Sequence, residues 1–125
     1  MVGWARLWAT ARRDPRTARL RQGAWYPVVS RGASRLVLRV PGASAPIAVA
    51  KHAFEFRRSP PARFTVVYRS AHERAARALP PGSGSRVYAV CPRCTHRVDL
   101  GMIPLAEARC PACDHAGDIA WWETG

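Results

Sequence analysis

Two six-residue phrases, Cys91-Pro92-Arg93-Cys94-Thr95-His96 and Cys110-Pro111-Ala112-Cys113-Asp114-His115, hold all four cysteines of this 125-residue chain. No other feature restricts the fold as much. A Cys-x2-Cys pair lets one tight turn present two sulfurs to a single ion, and a second such turn completes a tetrahedron. The full pattern, Cys-x2-Cys-x15-Cys-x2-Cys, falls in the spacing range of a zinc site. Iron is the rival metal, because four thiolates on Cys-Pro-x-Cys turns also suit a rubredoxin-like centre. Two disulfides are a further alternative. A thioredoxin-like redox pair expects a surrounding βαβ pattern, which the flanks lack.

Those flanks, "RVYAV", "HRVDL" and "DIAWWE", read as short strands. From Tyr88 to Trp122 the segment resembles the zinc-ribbon family, in which two knuckles are carried on a small antiparallel sheet. The resemblance implies that Cys91, Cys94, Cys110 and Cys113 ligate one structural zinc ion, in a closed shell with no open position for catalysis. Many knuckles of this family carry Gly after the second Cys, where this chain has Thr95 and Asp114. A unit this small has too few residues for a core of its own. Structural zinc contributes on the order of 10–16 kcal/mol of apparent binding free energy in such units. His96 and His115 are expected beside the knuckles at the surface. Trp121 and Trp122 are neighbours on one expected strand and must face opposite ways, so one of them is a candidate protein contact.

Charge divides the chain. The net charge is +12, and 19 of the 20 basic residues are Arg. Residues 1–86 hold 17 basic and three acidic residues, a net +14, whereas residues 87–125 hold three basic and five acidic, a net −2. An excess of this size calls for a polyanionic partner, nucleic acid or an anionic membrane. The candidate nucleic-acid surface is Arg16, Arg19, Arg21, Arg31, Arg35, Arg39, Lys51, Arg57, Arg58, Arg63 and Arg69. Trp25, Tyr26, Phe54, Phe64 and Tyr68 interleave with them, either as stacking platforms for bases or as the core of a small barrel.

The expected fold is mainly β, with short N-terminal helices, a small SH3-like or OB-like barrel, and the C-terminal ribbon. A helix over 3–13 would place Trp4, Leu7, Trp8 and Ala11 on one stripe, making Trp4 and Trp8 candidate docking residues. Asp14-Pro15 suits the start of a second helix, ending at Gly23. Residues 1–23 thus form a basic helical segment. "AWYPVVS", "RLVLRV", "PIAVA", "AFEFR" and "FTVVYR" read as five strands separated by "RGAS", "PGASAP" and "RSPPA". With a capped helix after Ser70, whose capping-box partner is Glu73, they make a barrel over 24–79. Pro27 points to an edge or a bulge in the first of these strands. "PPGSGS", residues 80–85, is the linker, and the ribbon occupies 86–125.

No catalytic carboxylate pair, nucleophile elbow or phosphate loop is legible in the sequence. No stretch reaches the roughly 20 apolar residues of a membrane span. "MVGWARLWATARR" lacks the apolar core of a secretory signal, so a cytoplasmic protein with reduced cysteines is expected. These features together predict a non-catalytic binder of nucleic acid or a ribonucleoprotein. Its basic barrel would meet RNA or DNA and its ribbon a protein neighbour. The alternative is an adaptor or accessory subunit of a larger protein complex, stabilised by the same zinc.

Overall fold

The computed structural model describes residues 1–8, 11, 14–68, 87–100 and 105–124. It is mainly β, and it divides into two compact units, Met1–Pro61 and Ala62–Thr124. In the first, five strands take the order β4-β3-β2-β1-β5: β1 (Gly3–Leu7), β2 (Trp25–Arg31), β3 (Arg35–Leu38), β4 (Ile47–Ala50) and β5 (Phe54–Arg57). All four pairings are antiparallel, and the sheet curls into a half-barrel. Alternation decides its core face. Ala5, Leu7, Tyr26, Val28, Leu36, Leu38, Val49 and Phe54 are all buried. A bulge moves the β2–β3 register from Val28↔Leu38 to Ser30↔Val37, just past Pro27, and adds twist there.

The short N-terminal helices expected from the sequence are not seen among the described residues. Residues 3–7 are instead a strand held on both sides, opposite β2 through Ala5↔Tyr26 and β5 through Ala5↔Phe56. The tryptophan stripe suggested a period of 3.6, but Gly3, Ala5 and Leu7 carry the real period of 2. Gly3 is where the sheet is tightest: a Cβ there would lie 2.6 Å from both the Phe56 ring and the Arg57 carbonyl. Two flanking strands outweigh a helix this short, because isolated helices under about 12–15 residues are marginal in water. Asp14 does cap the turn after it, its Oδ1 accepting from the N–H groups of Arg16 (2.8 Å) and Thr17 (3.0 Å). Residues 15–20 nevertheless form only a run of turns. Thr17 and Leu20 of that run are buried. Among the described residues the one helical element is a 3-10 turn, Lys51–Ala53.

The second sheet has the order β8-β7-β6-β10-β9: β6 (Phe64–Tyr68), β7 (Val87–Val90), β8 (Arg97–Asp99), β9 (Glu107–Arg109) and β10 (Ala116–Thr124). Two hairpins, β7–β8 and β9–β10, flank β6, which pairs antiparallel with β7 and parallel with β10. The strand "FTVVYR", expected as the fifth of the barrel, therefore belongs to the cysteine-bearing sheet, and β1 takes its place in the half-barrel. Phe64 and Val66 of β6 pack with Ala89, Leu100 and Ile119, and with Cys91 and Cys110, in one core. The capped helix and the linker at 80–85 lie outside the described residues.

Candidate metal centre

Each Cys-x2-Cys phrase sits between the two strands of one hairpin, and the two build the same backbone. In the first, Cys91 N–H donates to His96 O (2.9 Å) and Thr95 N–H to Cys91 O (3.1 Å). In the second, Cys110 N–H donates to His115 O (2.8 Å) and Asp114 N–H to Cys110 O (2.9 Å). Thr95 and Asp114 both have φ of 65°, the left-handed region that Gly occupies without steric cost. This is the physical origin of the glycine preference at that place in a knuckle. Asp tolerates the region, whereas β-branched Thr does so only when its surroundings over-determine it.

The turns bring the four sulfurs together. Cys91 Sγ lies 3.6 Å from Cys113 Sγ, and Cys94 Sγ lies 3.4 Å from Cys110 Sγ, each pair drawing one cysteine from each knuckle. All four sulfurs fall within 4.8 Å of one another, and all four cysteines are free thiols. Four soft donors converging on one point could hold a metal ion. Burial pushes the Cys91 thiol up to about 12, against the backbone N–H groups of Cys94 and Arg93 that favour its thiolate. Cys94 is also raised by burial. At Cys110 desolvation acts in the same upward direction, but N–H groups of Cys113 and Ala112, together with hydrogen bonds from the Cys94 and Cys113 thiols, outweigh it and the thiol falls to about 7. Paired N–H donors thus await negative sulfur in both knuckles.

The histidines that close the knuckles are not equivalent. His115 Nε2 lies 2.9 Å from the Ala62 carbonyl and its ring lies 5.7 Å from that of Phe64, so it ties the second knuckle to the start of β6. His96 is half-buried. Trp121 Nε1 donates to Leu105 O (2.7 Å), and its ring, half-buried, packs on the core of this sheet. The Trp122 side chain lies outside the described residues.

The basic residues fall into two sets. Arg16, Arg19, Arg21, Arg31, Arg35, Arg39, Arg58 and Arg63 are exposed, and Lys51 and Arg57 are half-buried. Arg69 lies outside the described residues. Some cations are engaged with aromatic rings: Arg57 lies 5.6 Å from the Trp25 centroid and donates to Ser59 Oγ, and Arg31 lies 4.3 Å from the Phe56 centroid. The interleaved aromatics Trp25, Tyr26, Phe54 and Phe64 are core residues; Trp8 and Tyr68, 45% and 52% exposed, are not. Trp4 is half-buried.

One functional-looking charge is purely internal. Arg6, 6% exposed, pairs with Glu55 across β1–β5 and lies over the Trp25 ring. A helix over 3–13 would have set Arg6 opposite the Trp4–Leu7–Trp8 stripe, which concealed this pairing from the sequence. No family model, no curated protein and no solved structure matches the chain. Among the described residues no helix is long and apolar enough to cross a membrane.

Proposed function

We propose that the protein is a non-catalytic binder of nucleic acid, in which the N-terminal half-barrel carries the polyanion-binding surface and a zinc-stapled C-terminal unit engages a protein neighbour. One observation carries this reading: the concentration of cationic charge in a single compact unit. Met1–Pro61 contains twelve basic residues against Asp14 and Glu55, a net +10, whereas residues 62–124 contain eight basic against six acidic, a net +2. Four thiolates around one divalent ion would cancel that remainder. Arg16, Arg19, Arg21, Arg35, Arg39 and Arg58 are exposed on the first unit, as phosphate contacts require. With Trp25, Tyr26 and Phe54 of the half-barrel buried, binding rests on charge more than on base stacking.

Zinc is the metal we infer for this cage, from the four-thiolate ligand set and its spacing. Zn–S bonds of about 2.3 Å arranged tetrahedrally give sulfur–sulfur edges of about 3.8 Å. Two of the contacts here, 3.4 and 3.6 Å, lie just inside that edge, and all four sulfurs fall within 4.8 Å of one another. Cys91, Cys94, Cys110 and Cys113 would close the shell, so the ion would act as a staple for a unit with a small core. A metal analysis of purified protein should give about one zinc per chain in a colourless sample. A red sample with a visible absorption band would replace zinc by iron.

The binding surface is tested by titrating a single-stranded RNA and a DNA of equal length at several salt concentrations. Affinity should fall steeply as salt rises, because each phosphate contact contributes about 0.7 to 0.9 to the slope of log affinity against log salt. Arg39→Glu with Arg58→Glu should weaken binding and flatten the slope. A slope near zero in the wild-type protein would refute the reading and favour a protein-docking adaptor, for which exposed Trp8 would be the first residue to test.

A further inference from the structure

The first unit contains an open pocket of about 460 Å³ far in sequence from the cysteines, lined by Asp14, Arg16, Ser34, Arg35 and His52 among others. Three separate stretches of chain build it. The Asp14 turn contributes Arg16, held in place because Asp14 Oδ1 accepts the N–H groups of Arg16 and Thr17. The start of β3 contributes Ser34 and Arg35, and Arg35 stands opposite Ala50 in the β3–β4 register. The 3-10 turn contributes His52, fastened to the same place by the hydrogen bond from Lys51 N–H to Ser34 O (2.9 Å).

The lining is unbalanced in charge. Two guanidiniums and an imidazole meet a single carboxylate, and that carboxylate already spends one oxygen on the turn. Its acidity is raised chiefly by the Thr17 N–H. Glu55, the other acid of this unit, is engaged with Arg6 outside the lining. Arg57 and Arg31 rest on aromatic rings, whereas the Arg35 and His52 side chains have no hydrogen bond, ion pair or ring contact among the described residues. Guanidinium fork donors, an imidazole and the Ser34 hydroxyl around one concavity match an anion with several acceptor oxygens. The volume is within the range of small-molecule sites and exceeds what a single water-sized anion fills.

The geometry points to a seat for a phosphate group, with Arg35 and His52 as its principal donors and Arg16 closing it from the turn. The phosphate is that of a nucleic-acid strand or a free phosphate-bearing ligand. Seating of a strand rests on the proposed function, whereas the anion seat itself does not. This makes one phosphate contact of the basic unit a built site, where the other arginines offer diffuse charge.

The test uses the full metal-loaded chain and inorganic phosphate, followed through backbone amide shifts, with Arg35→Ala, His52→Gln and, as an equal loss of charge elsewhere, Arg109→Ala. Phosphate should shift the amides around Ser34, Arg35 and His52. Arg35→Ala should weaken that binding about tenfold, the size expected for a lost charged hydrogen bond, and His52→Gln by less. Arg109→Ala should leave it within about twofold, since exposed charge outside the lining is screened. Unchanged amide shifts elsewhere check that each variant is folded. Equal weakening by Arg35→Ala and Arg109→Ala, or no shift in the pocket of the wild type, overturns the proposal. A second arm adds single-stranded RNA with a 5′-phosphate or a 5′-hydroxyl as competitor. Displacement by the phosphorylated strand alone supports the seat and assigns it to a strand end, and displacement by both assigns it to internal phosphodiesters. Displacement by neither, with phosphate still bound at Arg35, supports a seat for a free phosphate ligand while removing the strand from it.

Discussion

The two cysteine knuckles have the same backbone and different surroundings. In the first, Cys91, Pro92 and Thr95 are buried; in the second, Cys110 alone is buried, and Pro111, Ala112, Cys113 and Asp114 are exposed. Their hydrogen bonds and their left-handed residues nevertheless coincide. The turn is therefore fixed by its own six residues, whereas burial comes from what lies beyond it. After the first knuckle the chain leaves β8 through Leu100, which is 6% exposed and belongs to the core. Before the second it enters β9 beside Leu105, which is 48% exposed and offers mainly its carbonyl, to Trp121. Local geometry can repeat while packing does not.

The largest expected effect tests whether the unequal knuckles are still one site. Cys91→Ser and Cys113→Ser should each abolish stable metal binding and unfold the C-terminal sheet. A loss on the order of 10–16 kcal/mol of metal binding exceeds or matches the usual 5–15 kcal/mol stability of a domain. Metal content and circular dichroism would measure it. Cys91→Ser should be the worse of the two, because its hydroxyl replaces a sulfur in the apolar core. A Cys113→Ser protein that keeps its metal and its melting temperature would show that the exposed sulfur is not needed.

Equivalent positions beyond the knuckles should lose stability for opposite reasons, one by added volume and one by lost volume. Gly117 corresponds to Val98, two residues after His115 and His96 respectively. A Cβ at Gly117 would lie 2.5 Å from the Ala62 carbonyl. Gly117→Ala should therefore cost about 1–3 kcal/mol by overpacking, measured as the shift in chemical denaturation. Val98→Ala removes methyl groups packed against the core and should cost about 1 kcal/mol, the value of a partly buried side chain. If Gly117→Ala were neutral, the close approach of β10 to the start of β6 would be in error.

The left-handed residues offer a finer comparison. Thr95→Gly should stabilise the metal-loaded protein by about 1 kcal/mol, because a β-branched residue bears most of the left-handed cost. Asp114→Gly should gain less, since Asp already tolerates that conformation. An equal or larger gain at Asp114 would mean that the buried surroundings of Thr95 compensate its strain. Smallest of all should be Arg109→Ala. The Arg109–Asp114 pair, 2.9 Å apart, has both side chains more than half exposed, so its loss should leave the denaturation midpoint unchanged within error.

What the sequence determined by itself was local or additive. The ligand spacing lies within contiguous turns, so the four-sulfur cluster was legible from Cys91, Cys94, Cys110 and Cys113 alone. The strands at 25–31, 35–38, 47–50 and 54–57 were legible from alternation and from the turns between them, and net charge is a sum that no folding changes. Tertiary structure decided the rest because it depends on partners distant in the chain. Residues 3–7 are a strand because β2 and β5 lie on both sides of them, not because of their own periodicity. β6 joins the cysteine hairpins because Phe64 finds Ile119 and Thr65 finds Val90, pairings no local pattern encodes. The same holds for the arginines, alike in sequence. Long-range packing lays Arg6 and Arg57 against Trp25 and Arg31 against Phe56. It leaves Arg35, brought beside His52 by the β3–β4 register, to line a pocket open to an anion.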